Sequence, residues 1–84
     1  MARRFRIEYG NRAIEDLESL PARIRQQVLR KIGRFQSGLH GDIKRLREAD
    51  RVYRLRMGNH RILFDVSDDL IIIRRIGNRK NVYD

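Results

Sequence analysis

Tyr53-Arg54-Leu55-Arg56-Met57-Gly58-Asn59-His60-Arg61-Ile62-Leu63-Phe64 is the stretch that decides the fold. On its first limb Tyr53, Leu55 and Met57 alternate with Arg54 and Arg56. On its second, Ile62, Phe64 and Val66 alternate with Arg61, Leu63 and Asp65. Successive side chains of a strand point to opposite faces, so each limb reads as a strand with one apolar face. Gly58-Asn59 between them reads as a two-residue turn, the glycine supplying the positive φ that a type II′ turn needs at its first position. With those two residues as the turn, Met57 pairs with His60, Arg56 with Arg61, Leu55 with Ile62 and Arg54 with Leu63. Paired residues share a face. Arg54, Arg56 and Arg61 are therefore expected together, on the side away from Leu55, Met57, Ile62 and Phe64.

Downstream, Ser67-Asp68-Asp69 makes a second turn, and residues 70–76 read as a strand apolar on both faces, as in the middle of a sheet. Upstream, Phe5, Ile7 and Tyr9 alternate with Arg4, Arg6 and Glu8. Gly10 breaks that strand and Asn11 is a candidate N-cap. Ala13, Ile14, Leu17 and Leu20 lie on one side of the helix that follows. Pro21 suits the first turn of a second helix, in which Ile24, Val28, Ile32 and Phe35 recur at helical spacing. Gly38 and Gly41 end it in a loop that lasts until about residue 51. The element order is β-α-α-β-β-β: an antiparallel sheet with a two-helix hairpin packed on one face, an α+β architecture in one domain spanning residues 1–84.

Twenty Lys and Arg stand against eleven Asp and Glu, a net charge of +9. Such a balance points to partners rather than to fold, and favours a polyanion. A chain of 84 residues buries only about 60–65% of the surface its unfolded form exposes, so chemistry is expected on an open face and not in a deep cofactor pocket. The absence of cysteine excludes disulfides and thiolate metal sites. No carboxylate or histidine cluster has metal-ligand spacing, and no cofactor is expected. The longest apolar run, Leu70-Ile71-Ile72-Ile73, is far short of the roughly 20 residues of a membrane span. The N-terminal Met-Ala-Arg-Arg-Phe-Arg lacks the apolar stretch of a secretion signal. A cytoplasmic location without membrane contact follows as the expectation.

Arg56 opposite Arg61 is a choice that solubility alone does not require, because like charges directly across a sheet destabilise it. The ordinary reading is a solvated strand face. The functional one is a preorganised anion site, since guanidinium groups bind phosphate bidentately and stay charged at any working pH. The closing Gly77-Asn78-Arg79-Lys80-Asn81-Val82-Tyr83 adds two cations and an aromatic ring. Tyr83 can serve simply as a terminal anchor. Arginines beside an aromatic are also what single-stranded RNA prefers, for phosphate and for base stacking.

Arg45-Leu46-Arg47, the "YRLR-(x)-G-(x)-(x)-RI" hairpin from Tyr53 and the closing "IG-(x)-R-(x)-(x)-VY" from Ile76 together resemble the RelE/ParE toxins of toxin–antitoxin pairs. The Leu20-Pro21 junction also fits that family. The resemblance covers essentially the whole chain. In the RelE branch it implies a ribosome-dependent endoribonuclease that cleaves mRNA in the A site without a metal. The ribose 2′-oxygen attacks the adjacent phosphate and a 2′,3′-cyclic phosphate results. The residues carried over as catalytic are Arg54, Arg56, Arg61, Arg79 and Tyr83, the arginines stabilising charge on the scissile phosphate and Tyr83 stacking on a base and orienting the attacking hydroxyl. Lys44, Arg45, Arg47 and Lys80 are expected to bind RNA. A small acidic antitoxin is the implied protein partner, beside the ribosome and mRNA.

The sequence departs from the family in one respect. Well-known RelE enzymes carry lysines where this chain has Arg54 and Arg56, and arginine does not give up its proton. The general base is thus unassigned. His40, in the loop after the second helix, and His60, beside the hairpin turn, are the two histidines, the side-chain type whose ordinary range for proton exchange lies near neutrality. His60 is expected to project to the core side or the turn edge in a structural role. Asp65 is expected to moderate the positive charge. Two other functions stay open: a ParE-like inhibitor of DNA gyrase, and a toxin-like binding module without catalysis.

Overall fold

A computed structural model describes residues 4–46 and 52–78. The elements are β1 (Arg6–Tyr9), α1 (Asn11–Ser19), α2 (Ala22–Gly33), a 3-10 turn (Arg34–Ser37), β2 (Asp42–Arg45), β3 (Val52–Met57), β4 (His60–Ser67) and β5 (Leu70–Asn78). These strands form one five-stranded sheet in the order β1-β5-β4-β3-β2. All pairs are antiparallel except β1 with β5, which run parallel with Arg6 opposite Leu70 and Tyr9 opposite Ile73.

The α+β class and the helical pair on one face stand as read from the sequence. The strand count does not: Asp42-Ile43-Lys44-Arg45, expected as loop, is an edge strand on β3. It contributes one apolar residue, Ile43, to the core margin, too little alternation to be legible. Its charged residues suit an edge, where they discourage pairing with another chain.

Helix α1 also begins differently. Gly10, not Asn11, is the N-cap, with extended φ −68 and ψ 162 and no side-chain cap, and Asn11 is the first helical residue. Its N–H donates to the Ile73 carbonyl at 2.9 Å, and glycine suits the position because a Cβ would stand 3.3 Å from that same oxygen. Ala13 is fully buried, but Ile14, expected on the same side, is 42% exposed.

The core joins the helices to the sheet. Val28, Ile32 and Phe35 meet Leu55, Ile62, Phe64, Ile71, Ile73 and Ile76, all fully or almost fully buried. Phe64 is its aromatic centre, tilted against Phe35 with ring centroids 4.9 Å apart and stacked on Tyr53 at 5.6 Å, within the range where ring pairs add to plain burial.

Strand β5 runs to Asn78 and carries an irregularity. Leu63 pairs with Arg75 but Phe64 pairs with Ile73, so Arg74 is an extra residue. This bulge reverses the in–out phase: the buried positions are 71 and 73 before it and 76 after it. Among the described residues no helix is long and apolar enough to cross a membrane.

Candidate nucleic-acid interface

The β3–β4 hairpin has the expected register, with Arg56 opposite Arg61, Leu55 opposite Ile62 and Met57 opposite His60. Gly58 has φ +59, and Asn59 is not among the residues of positive φ, the pattern of a type II′ turn. Alternation then sorts the sheet's helix-free face into cross-strand rows. The row next to the turn holds Asp42, Arg56, Arg61 and Gly77. The next holds Lys44, Arg54, Leu63 and Arg75, and the third Val52, Asp65, Ile72 and Glu8. Positive charge is therefore gathered at the turn end, while the far end is apolar and acidic.

The three hairpin arginines differ in setting. Arg56 is exposed and Arg54 is half-buried, whereas Arg61 is only 5% exposed. Opposite Arg61 on β5 is Gly77, which has no side chain to fill the adjoining surface. The Nε of Arg54 is buried with no hydrogen-bond partner among the described residues. A buried N–H without an acceptor is costly, so this donor suits an incoming anion.

Carboxylates hold the neighbouring cations. Asp65 Oδ2 accepts from Arg74 Nε at 2.6 Å and lies 2.6 Å from its Nη2, so Asp65 offsets the charge of Arg74. Arg75 is drawn the other way: its Nε donates to Asp16 Oδ2 of α1 at 2.9 Å. The same oxygen accepts the backbone N–H of Ile76 at 2.9 Å. Sequence reasoning did not mark Arg74, Arg75, Asp16 or Asp42 as part of the site. The continuous run Leu70-Ile71-Ile72-Ile73 hides the bulge in the sequence, because it shows no alternation whose phase could be seen to change.

Of the residues expected to bind RNA, Lys44 stands opposite Arg54 on the arginine face. Arg45 is not brought to them: it stands opposite Tyr53, whose neighbours on that face are core residues. Arg47, Arg79, Lys80 and Tyr83 lie outside the described residues. His60 is on the helix side, as expected, in a cleft of about 240 Å³ lined also by Asp16, Ser19, Arg75 and Asn78. His40 is exposed, its Nε2 3.2 Å from Ser37 Oγ. A basic cleft of about 350 Å³ lies between α2 and the end of β3, lined by Gln27, Arg30, Lys31, Arg34 and Met57. Arg30 is on α2 as expected, while Arg34 begins the 3-10 turn.

Comparison with known proteins agrees with the fold. The family described as "ParE toxin of type II toxin-antitoxin system, parDE" matches residues 7–83. Toxin RelE3 of Methanocaldococcus jannaschii is 33% identical over 84 residues, covering 94% of this chain and 96% of its own. The toxin in the crystal structure of a RelB–RelE antitoxin–toxin complex from Methanococcus jannaschii is 33% identical, with a TM-score of 0.79 over 92% of this chain and 95% of that one. The RelBE2 toxin–antitoxin complex of Mycobacterium tuberculosis matches with 25% identity and a TM-score of 0.75, over 90% of this chain and 99% of that one. The isolated Escherichia coli RelE toxin, at 20% identity and a TM-score of 0.73 over 89% of this chain and 83% of that one, shares the fold. With sequence, fold and family match in agreement, the chain belongs to the RelE/ParE superfamily of type II toxin–antitoxin toxins.

Proposed function

We propose that this toxin, acting as one domain over residues 1–84, is a ribosome-dependent endoribonuclease that cuts mRNA in the A site and so stops translation in the cytoplasm. The observation that carries the reading is the convergence of Arg54, Arg56 and Arg61 with Lys44 at the turn end of an open sheet face. The 2′-oxygen forms a bond to phosphorus while the bond to the 5′-oxygen breaks, leaving a 2′,3′-cyclic phosphate. The 2′-hydroxyl loses a proton and the departing 5′-oxygen gains one. Negative charge builds on the phosphoryl oxygens between those events. Arginine hydrogen bonds aimed at those oxygens stabilise this state more than the ground state, which is the condition for catalysis. Arg54 and Arg56 keep their protons throughout, so they bind charge and do not act as the base. In this reading Arg79 joins them at the phosphate, Tyr83 stacks on a base and orients the 2′-hydroxyl, and Arg45, Arg47 and Lys80 contact flanking RNA.

The partner that silences the toxin is proposed to be a small acidic antitoxin. Solved relatives are complexes of toxin with RelB-type antitoxin, and a charge of +9 favours an acidic protein.

A second reading has its own support, because the matching family is described by its ParE members; it makes the protein an inhibitor of DNA gyrase. One assay separates the two. Purified toxin is incubated with ribosomes programmed with a defined mRNA, and in parallel with gyrase and relaxed plasmid. Cuts within the A-site codon are expected. Intact mRNA together with loss of supercoiling assigns the gyrase reading, and no effect in either arm leaves a binding module without catalysis.

A further inference from the structure

One carboxylate outside the arginine face binds the strand that borders it. Strand β1 covers β5 only from Leu70 to Ile73. From the bulge onward no described strand lies along that edge of β5, and α1 takes over. Asp16 reaches across 60 positions of sequence and offers a single oxygen, Oδ2, to both the Arg75 Nε and the Ile76 N–H, each at 2.9 Å. Its side chain is 19% exposed and that of Arg75 is 24% exposed, so the pair is shielded from most of the solvent that weakens surface ion pairs.

The position of this contact matters because of what lies next to it. Ile76 is immediately followed by Gly77, and Gly77 stands opposite the buried Arg61. Asp16 makes both contacts in the bulged register, in which Arg75 lies opposite Leu63. If the bulge were lost, Arg75 would move opposite Ile62 and Ile76 opposite Arg61, because a one-residue slip turns side chains to the other face. The backbone N–H of residue 76 is thus fixed from the helix side, one residue before the glycine that borders Arg61.

We infer that Asp16 is a positioning residue for the arginine face: its carboxylate holds β5 at Ile76 and thereby keeps Gly77 opposite Arg61 in the arrangement that meets the phosphate. This inference rests on the nuclease reading above. Asp16 itself touches no substrate and acts through the strand.

The test compares Asp16→Ala, Asp16→Asn and a charge control, Glu15→Ala, an exposed neighbour on α1. Single-turnover cleavage is measured on saturated ribosome complexes, well below the melting midpoint of every variant. Asp16→Ala is expected to slow cleavage about 10–100-fold, the scale of a small displacement at reacting groups, with ribosome affinity changed less than about threefold. Asp16→Asn keeps an acceptor for the Ile76 N–H and is expected to recover most of the rate, with the Ile76 amide again protected from hydrogen exchange. Glu15→Ala is expected to match wild type. If Asp16→Ala does not fold, Asp16→Glu replaces it: the charge remains for Arg75 but the carboxylate is displaced from Ile76, and the same slowing is expected. A wild-type rate in the folded Ala or Glu variant overturns the positioning role, as does a defect confined to ribosome affinity. Wild-type protein that cuts no mRNA overturns the nuclease reading, and is seen before any variant is made.

Discussion

Arg56 and Arg61 face each other directly across the β3–β4 hairpin, one exposed and the other 5% exposed. Like charges in that relation destabilise a sheet. Replacing the exposed partner should therefore stabilise the protein. Arg56→Thr is expected to raise the urea midpoint while lowering cleavage, and a midpoint that falls would show that the pair is not a strain on the sheet.

Arginines that meet the scissile phosphate should separate from those that only attract RNA. Arg61→Ala and Arg79→Ala are each expected to slow saturated single-turnover cleavage roughly 10²–10³-fold, about 3–4 kcal/mol, with little loss of ribosome binding. Arg30→Ala and Arg34→Ala, in the cleft beside Met57, should behave oppositely. They weaken association and flatten its salt dependence by about 0.7 for each phosphate no longer neutralised, at unchanged saturated rate. Effects on affinity alone for all four would make the arginine face a docking surface.

Metal removal should leave the chemistry intact. In the proposed mechanism arginine and lysine side chains supply the positive charge, so EDTA added to pre-formed complexes is expected to leave the cleavage rate within about twofold. Ribosome integrity is checked by sedimentation in the same samples. Full inhibition with intact ribosomes would require a metal in the mechanism.

Alkaline stability should depend on Tyr9. Burial raises its hydroxyl above the ordinary value of 10.0, so the folded protein holds that proton more tightly than the unfolded chain does. The resulting stabilisation is fully present below pH 10.0 and is lost as pH rises through the raised value. Tyr9→Phe has no such proton to lose. Its urea midpoint is expected to fall less steeply than wild type on the alkaline side, and parallel curves would argue against the assignment.

The hairpin was legible because its signal is local: apolar and charged side chains alternate on both sides of a glycine whose φ preference fixes the turn, and the turn fixes the register of Arg54, Arg56 and Arg61. Helix α2 was legible for the same reason, through Val28 and Ile32. What was not legible depends on distant partners. Asn11 looks like a cap until the Ile73 carbonyl claims Gly10. Arg75 looks like one more surface cation until α1 brings Asp16 to it. Ile43 alone cannot announce an edge strand whose pairing is supplied by Leu55. Tyr83 and Arg79 were carried by resemblance, and lie outside the described residues.

The parallel pairing of β1 with β5 has a consequence in time. Of the described strands, the first to be synthesised finds its sheet partner in the last, since Arg6–Tyr9 pairs with Leu70–Ile73. While the ribosome makes the chain, β1 must wait until the message for β5 has been read, and loop closure over such a distance is slow compared with forming a local hairpin. A nascent chain that stops before Leu70 has no strand on which β1 can close. The sheet proposed to cut RNA on a ribosome is thus still open while its own ribosome is reading the codons ahead of Leu70.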